Sequence, residues 1–199
     1  MKYKEQFEKS VLMRGEGLVS ELCSALDDES KMPGALNALL SFAAENGLSG
    51  NLWHAALAQF MLENENPFSL SCERKRASLS SLWNIALYDV SNLRQLFDAE
   101  SSHPVWCEIK SFTPPVSFEN PAISELLEAQ QKGVSDEDFL RTLAYSYEKY
   151  GCGVYGYSDS FRIEGDSIVP IKGKAHPNFG DLIGYEKQKK LYRIYKKMI

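Results

Sequence analysis

Apolar residues recur at helical spacing through most of the first 150 residues, and polar or proline-containing segments interrupt them at intervals typical of short helices. One apolar face ends at Asn46-Gly47, a pair suited to the left-handed backbone of a helix end. Another helix is expected to begin at Asn66-Pro67, because Asn caps helices and Pro fits the first turn. These helix start and stop signals predict a mainly α, bundle-like domain over residues 1–150.

The same pattern predicts the remaining helices. At the start of the chain, Phe7, Val11 and Leu12 predict one apolar face, with a break at Gly15 and Gly17. Residues 101–120 lose the pattern and contain several prolines, so an extended connection is expected there. Later helices are predicted over residues 82–97, 121–131 and 135–150.

The character of the sequence changes after residue 150. Phe161-Arg162-Ile163 and Ile168-Val169 are β-branched or aromatic and flank a glycine-containing turn, which predicts a small β-hairpin. Residues 185–199 hold six bases and one acid and predict a basic amphipathic C-terminal helix. The expected organisation is a helical domain over residues 1–150, a β-hairpin and linker over residues 151–178, and a separate unit over residues 179–199.

Composition limits the classes of function. Apolar residues make up 44% of the chain and aromatic residues 12%, which is enough for a packed core and too much for a disordered chain. The net charge of −5 gives nucleic acid no general attraction. The net +5 of residues 185–199 keeps nucleic acid or an acidic membrane as an alternative partner of that segment alone. With neither a signal peptide nor a long apolar run, the prediction is a soluble, cytoplasmic protein without a membrane anchor.

The four cysteines show no metal-binding or redox spacing. Cys23, Cys72, Cys107 and Cys152 are separated by 35 to 49 positions, and no C-x-x-C pair is present. A disulfide framework is not expected in a chain of this size without a secretion signal. The prediction is four buried, reduced thiols that act as small apolar side chains, and no metal site.

The glycine motif beginning at Gly151 matches G-x-G-x-x-G, but its context is reversed. A dinucleotide site needs these glycines after a strand and at the start of a helix, so that helix amides meet the pyrophosphate. In this sequence a predicted helix precedes Gly151 and a predicted strand follows. The motif therefore predicts a helix end and a turn.

Cys152 lies between two glycines and is a candidate nucleophile on sequence alone. A catalytic thiol needs a nearby base, and the histidines His54, His103 and His176 lie far from it in the sequence. A Cys-dependent hydrolase therefore remains as an alternative, with a structural cysteine as the favoured interpretation.

Large aromatic residues are the other side chains that could carry a function. The candidates for partner contact are Trp53, Phe68, Trp83 and Trp106, which are equally suited to a core. Because large aromatic side chains are more often buried than exposed, burial is the favoured interpretation for the set.

Residues 179–191, with the sequence FGDLIGYEKQKKL, resemble the entry motif that precedes the Walker A loop in AAA-type P-loop ATPases. The resemblance implies that four residues would line the adenine side of the nucleotide pocket in an intact parent: Leu182, Ile183, Gly184 and Tyr185. Residues 50–53 and 64–73 are in turn similar to the N-terminal region of an uncharacterised bacterial AAA-type ATPase family, known as a domain of unknown function.

The chain departs from this family where the nucleotide site should follow. It contains no G-x-x-x-x-G-K-[ST] loop to hold phosphates, so ATP and Mg²⁺ are expected in the intact parent and not in this chain. The resemblance implies a non-catalytic N-terminal recognition or regulatory module, truncated before Walker A, without catalytic or metal-binding residues of its own. A protein client of unknown identity is the expected partner, and oligomerisation through the ATPase module is left open. The alternative is a stand-alone helical protein-interaction module.

Overall fold

Helices dominate the structure, as the sequence predicts. The computed structural model describes residues 2–75, 81–114, 120–153, 161–165 and 167–170, together with residue 186. The helices in these ranges are α1 (Tyr3–Glu8), α2 (Leu18–Asp27), α3 (Met32–Asn46), α4 (Leu52–Glu63), α5 (Pro67–Glu73), α6 (Leu82–Arg94), α7 (Trp106–Lys110), α8 (Pro121–Gln131) and α9 (Asp136–Tyr150). The same ranges hold two 3-10 helices, Glu29–Lys31 and Gln95–Asp98, and two short strands, β1 (Phe161–Glu164) and β2 (Ser167–Pro170).

Several helix ends lie where the local sequence signals predict them. Gly47 ends α3 with a φ of 63°, in the left-handed region that glycine occupies without strain. Asn66 caps α5: its side-chain oxygen accepts the N–H of Ser69 at 3.1 Å, and Ser69 Oγ accepts the N–H of Asn66 at 2.9 Å. Ser135 caps α9 by accepting the N–H of Asp138 at 3.1 Å. These bonds satisfy backbone groups that a helix end leaves unpaired.

The central element of the helical body is α4, which packs against α2, α3, α7, α8 and α9. Nine of its twelve residues are buried, so its surface is apolar all round, as expected of a helix enclosed by others. Trp53 fixes its position, because the indole N–H donates to the carbonyl of Leu96 at 2.7 Å. The buried side chains of α4 and of the other helices belong to one hydrophobic core cluster.

The predicted apolar face at the start of the chain is wrong at Val11. Helix α1 ends at Glu8, and Val11 is 56% exposed. The backbone of residues 11–13 instead surrounds the fully buried carboxylate of Asp89 in α6, which accepts the N–H of Val11 at 2.7 Å, of Leu12 at 2.6 Å and of Met13 at 2.9 Å. We call this arrangement the Asp89 clamp. Its three hydrogen bonds favour a turn over a continued helix.

The prediction of an extended connection over residues 101–120 is wrong in its middle. The short helix α7 forms there, and Trp106 and Ile109 are buried in the core. The ring centroids of Trp106 and Trp53 lie 6.4 Å apart. A helix of five residues is not stable through its own propensity, so burial against α4 must hold it in place.

The β-hairpin is confirmed, with β1 and β2 antiparallel and Ile163 opposite Ile168. The predicted C-terminal basic helix and the unit over residues 179–199 lie outside the described residues, apart from Glu186. Three cysteines are buried as expected, but Cys107 is exposed because it points outward from α7. In the described parts of the chain, none of the helices has the length and apolar character needed to cross a membrane.

Candidate functional site

The adenine-side residues implied by the resemblance, Leu182, Ile183, Gly184 and Tyr185, lie outside the described residues. The glycine motif is described as far as Gly153. Gly151 follows the last turn of α9 with a φ of 84°, and Gly153 has a φ of 74°. Gly151 thus follows the end of a helix, as predicted. Residues 151–153 do not begin a helix, whereas a dinucleotide site needs these glycines at a helix start.

Cys152 is buried and hydrogen-bonded to neighbouring segments of the chain. Its N–H donates to Glu73 Oε1 at 2.6 Å, and its Sγ donates to the carbonyl of Leu62 at 3.6 Å. Burial raises the pKa of the thiol, whereas a nucleophilic cysteine needs a lowered pKa. The described histidines are engaged elsewhere: His54 bonds to the carbonyl of Phe97, and His103 accepts from the N–H of Val105. These contacts do not favour the hydrolase alternative.

The four aromatic candidates separate into two groups. Trp53, Phe68 and Trp106 are almost fully buried in the core, as favoured from the sequence. Trp83, at the start of α6, is half-buried and packs its ring against the edge of Phe68, with centroids 5.9 Å apart and an interplanar angle of 65°. Trp83 is therefore the one member of this set that can contact a partner.

Trp83 lines an open cleft of about 270 Å³ between α9 and the ends of α5 and α6. One wall is a single face of α9, formed by Arg141, Ala144, Tyr145 and Glu148. Their spacing of three and four residues places them on one side of the helix. The opposite wall is formed by Cys72, Lys75 and Trp83. We call this feature the α9 cleft.

The Trp83 wall of the α9 cleft is packed from behind by aromatic rings. Phe68 lies between Trp83 and Tyr147, and the centroids of Phe68 and Tyr147 are 6.2 Å apart. Tyr147 is fully buried, and its hydroxyl donates to the carbonyl of Met61 at 2.5 Å. Such packing holds Trp83 in a defined orientation without the cost of ordering it on binding.

The rim of the α9 cleft is charged and exposed. Lys75 pairs with Glu148 at 3.2 Å, and Arg141 pairs with Glu137 at 2.7 Å. The side chains of Lys75 and Arg141 are 74% and 64% exposed, so both remain accessible to a partner. Tyr145 is 53% exposed and lines the cleft from the same face of α9 as Arg141.

Lys75 has an unusual backbone. Its φ of 57° is the only left-handed value at a non-glycine position among the described residues. The N–H of Lys75 donates to the carbonyl of Cys72 at 2.8 Å, which closes the end of α5. Glycine normally occupies this position, because a side chain there costs about 1 kcal/mol or more. The strain places a long cationic side chain at the edge of the α9 cleft.

The α9 cleft holds a thiol, that of Cys72. Burial raises the pKa of Cys72 to about 12, so its thiol stays protonated near neutral pH. Over the described ranges, no group of three His, Cys, Asp or Glu side chains is arranged to hold a metal ion. The cleft presents the aromatic rings of Trp83 and Tyr145, with Lys75 and Arg141 at its rim and each cation paired with a glutamate.

Sequence reasoning identified Trp83 but missed the rest of the α9 cleft. A signal was present in α9, because Tyr145 is an aromatic residue on the polar side of a strongly amphipathic helix. The other wall carried no such signal, since Lys75 is one of several charged residues after α5. Comparison with known proteins adds no further residue: no family model, curated protein or solved structure matches this chain.

Proposed function

We propose that this chain is a non-catalytic recognition module that binds a partner protein through the α9 cleft. The observation that carries the proposal is that the half-buried Trp83 and the exposed Tyr145 line one cleft together with the exposed cations Lys75 and Arg141. Aromatic and arginine side chains dominate the energy of protein interfaces when they are held in place before binding.

The resemblance of residues 179–191 to the AAA entry motif extends this proposal to a longer parent. In such a parent the helical body would bind a client in the cytoplasm, while an ATPase module bound ATP and Mg²⁺ and supplied the hydrolysis. Leu182, Ile183, Gly184 and Tyr185 would then contact the adenine. In this chain we propose that no nucleotide is held, because a phosphate-binding loop is missing from the sequence.

Calorimetric titration tests the nucleotide part of the proposal. MgATP added to about 1 mM is expected to give no binding heat beyond dilution. A dissociation constant in the micromolar range would contradict the proposal, because it would require phosphate contacts that this sequence does not supply. Cytidine triphosphate serves as the control for nonspecific binding of a charged nucleotide.

Selection of peptides tests the recognition part. A phage-displayed random library panned against the whole chain is expected to yield peptides that bind at the α9 cleft. Tyr145→Ser should weaken the binding of these peptides about tenfold or more, whereas Tyr88→Ser should change their affinity by less than about twofold. Tyr88 is a matched control, since it is 50% exposed, lies on α6 and does not line the cleft. Equal effects of the two substitutions, or a failure to select any peptide, would contradict recognition at this site.

A further inference from the structure

We propose that two copies of this chain associate through one side of α6, in a symmetric contact formed by Ile85, Tyr88 and the neighbouring Val11. We call these three residues the α6 face. The inference does not depend on recognition at the α9 cleft and goes beyond the proposed function. It follows from the exposure of the three apolar side chains, the lack of exposed charge on α6 and the spacing of Ile85 and Tyr88.

Three exposed apolar side chains lie together at the α6 face. Ile85 and Tyr88 are 36% and 50% exposed, and their spacing of three residues places them on one side of the helix. Val11 is 56% exposed, and its N–H donates to Asp89, the residue after Tyr88. The Asp89 clamp therefore fixes Val11 beside the same part of α6. Single exposed apolar residues are ordinary, whereas a group of them marks a surface for association.

The charge pattern also sets α6 apart from the other described helices. Its exposed residues are Asn84, Ile85 and Tyr88, none of which is charged. Its two charged residues are Asp89, which is buried in the clamp, and Arg94, whose side chain is 12% exposed and forms an ion pair with α9. Each other described helix that has exposed residues exposes at least one glutamate. Interface centres are depleted of charged residues and enriched in aromatic ones, and the α6 face has this composition.

The lack of exposed charge on α6 favours a second copy over other partners. The chain has a net charge of −5, so two copies repel each other least where neither presents a charge. A partner of opposite charge would gain no attraction at such a surface. The net +5 of residues 185–199 would meet no exposed acid on α6, and nucleic acid would meet no cation for its phosphates.

The positions of Ile85 and Tyr88 suit a two-fold contact. When two α6 helices cross antiparallel about a symmetry axis, Ile85 of each copy lies against Tyr88 of the other. Every apolar side chain of the pair is then covered by an apolar side chain. Trp83 lies two residues from Ile85, and helical spacing places it on the opposite side of α6. The contact between copies therefore does not overlap with the α9 cleft.

The size of the α6 face predicts a weak dimer. Three partly exposed side chains and their polar neighbours offer less area than a stable interface, which buries about 1,200–2,000 Å² in total. A dissociation constant on the order of 10–100 µM is therefore expected, as for a transient interface.

Sedimentation equilibrium of the whole chain, at concentrations from about 5 to 500 µM, tests the inference. The weight-average mass is expected to rise from 22.4 kDa toward twice that value and not beyond it, because a two-fold contact closes after two copies. A mass that stays at the monomer value at the highest concentration would overturn the proposal. A mass that exceeds two copies would also overturn it, since further growth requires a head-to-tail contact.

Paired substitutions locate the contact. Tyr88→Ser is expected to weaken dimerisation at least about tenfold, and Tyr145→Ser by less than about twofold. The two residues are matched, because they are 50% and 53% exposed on α6 and α9. In peptide binding at the α9 cleft the two substitutions are expected to show the opposite pattern. Equal effects on dimerisation would overturn the contact through α6. If the dimer behaves as expected but no peptide is selected, the proposed function fails and this inference stands.

Val11→Ser tests the contact from another segment of the chain. Only the backbone N–H of Val11 bonds to Asp89, so the variant keeps the clamp, and circular dichroism checks that it is folded. Dimerisation is expected to weaken about threefold or more. A folded Val11→Ser variant that dimerises as tightly as the unaltered chain would overturn the α6 face.

Discussion

The Asp89 clamp and the α9 cleft hold charged side chains under opposite conditions. Asp89 is fully buried, and three backbone amides occupy its two oxygens. Lys75 and Arg141 are largely exposed; Lys75 is paired with Glu148, and Arg141 is paired with Glu137 and Asp138 at the surface. A buried charge whose hydrogen bonds are made within the chain stabilises the fold. An exposed charge at the surface remains accessible to a partner. The comparison predicts which substitutions unfold the protein and which alter only its binding.

The largest effect is expected from removal of the buried charge. Asp89→Ala leaves three buried or half-buried amides without an acceptor and should lower the free energy of unfolding by about 3–5 kcal/mol. Urea denaturation followed by circular dichroism measures the change. Asp98→Ala is the control, since Asp98 is exposed on the turn after α6 and should change stability by less than about 0.5 kcal/mol. Equal losses in the two variants would show that the clamp does not stabilise the fold.

The two tryptophans give the next largest difference. Trp53→Phe removes the hydrogen bond to the carbonyl of Leu96 and leaves a small cavity, so a loss of about 1.5–3 kcal/mol is expected. Trp83→Phe should cost less than about 1 kcal/mol, because Trp83 is half-buried and keeps an aromatic ring against Phe68. Thermal unfolding of both variants measures the contrast. A larger loss at Trp83 would mean that the cleft is part of the core.

A smaller effect is expected from the backbone of Lys75. Lys75→Gly and Lys75→Ala both remove the ion pair with Glu148, but only glycine relieves the left-handed φ of 57°. The Gly variant should therefore be more stable than the Ala variant by about 1 kcal/mol. Denaturant titrations of the pair measure this difference. No difference between them would show that the backbone at Lys75 is unstrained.

The smallest effect is expected from the protonation of His54, a half-buried residue of α4. Burial lowers the pKa of His54, whose ring N–H donates to the carbonyl of Phe97 at 2.9 Å. The unfolded chain then binds a proton more readily, so the contribution of His54 is complete above its unfolded pKa of about 6.5 and declines as the pH falls below that value. His54→Gln should flatten the decline in unfolding free energy between about pH 6.5 and pH 5. A steeper decline in the variant would contradict a lowered pKa of His54 in the folded protein.

Local sequence signals predicted the helices well because their physical causes are local. The cap of Asn66 on α5, the cap of Ser135 on α9 and the glycine after α3 each join groups within a few residues of one another. The mainly α class and the β-hairpin follow from the same kind of short-range pattern. These features did not depend on which helices become neighbours.

Errors arose where distant contacts override the local pattern. Val11 fits an apolar face by spacing, but the bonds of residues 11–13 to Asp89 turn the chain away from a helix. Helix α7 is too short to be expected from propensity, and burial of Trp106 beside Trp53 holds it. Asp89 itself did give a signal, as a lone acid on the buried side of α6 between Ala86 and Leu93.

By itself, the sequence determined the helical class, the ends of several helices and the hairpin, because each depends on hydrogen bonds and periodicity within one short segment. Only the tertiary structure decided that Asp89 is buried, that the short helix α7 forms and that Trp83 borders a cleft. The bond between Leu12 and Asp89 spans 77 residues, and a separation of that length leaves no trace in local spacing. The same residue type therefore serves as core in one place and as surface in another, according to the helices that pack around it.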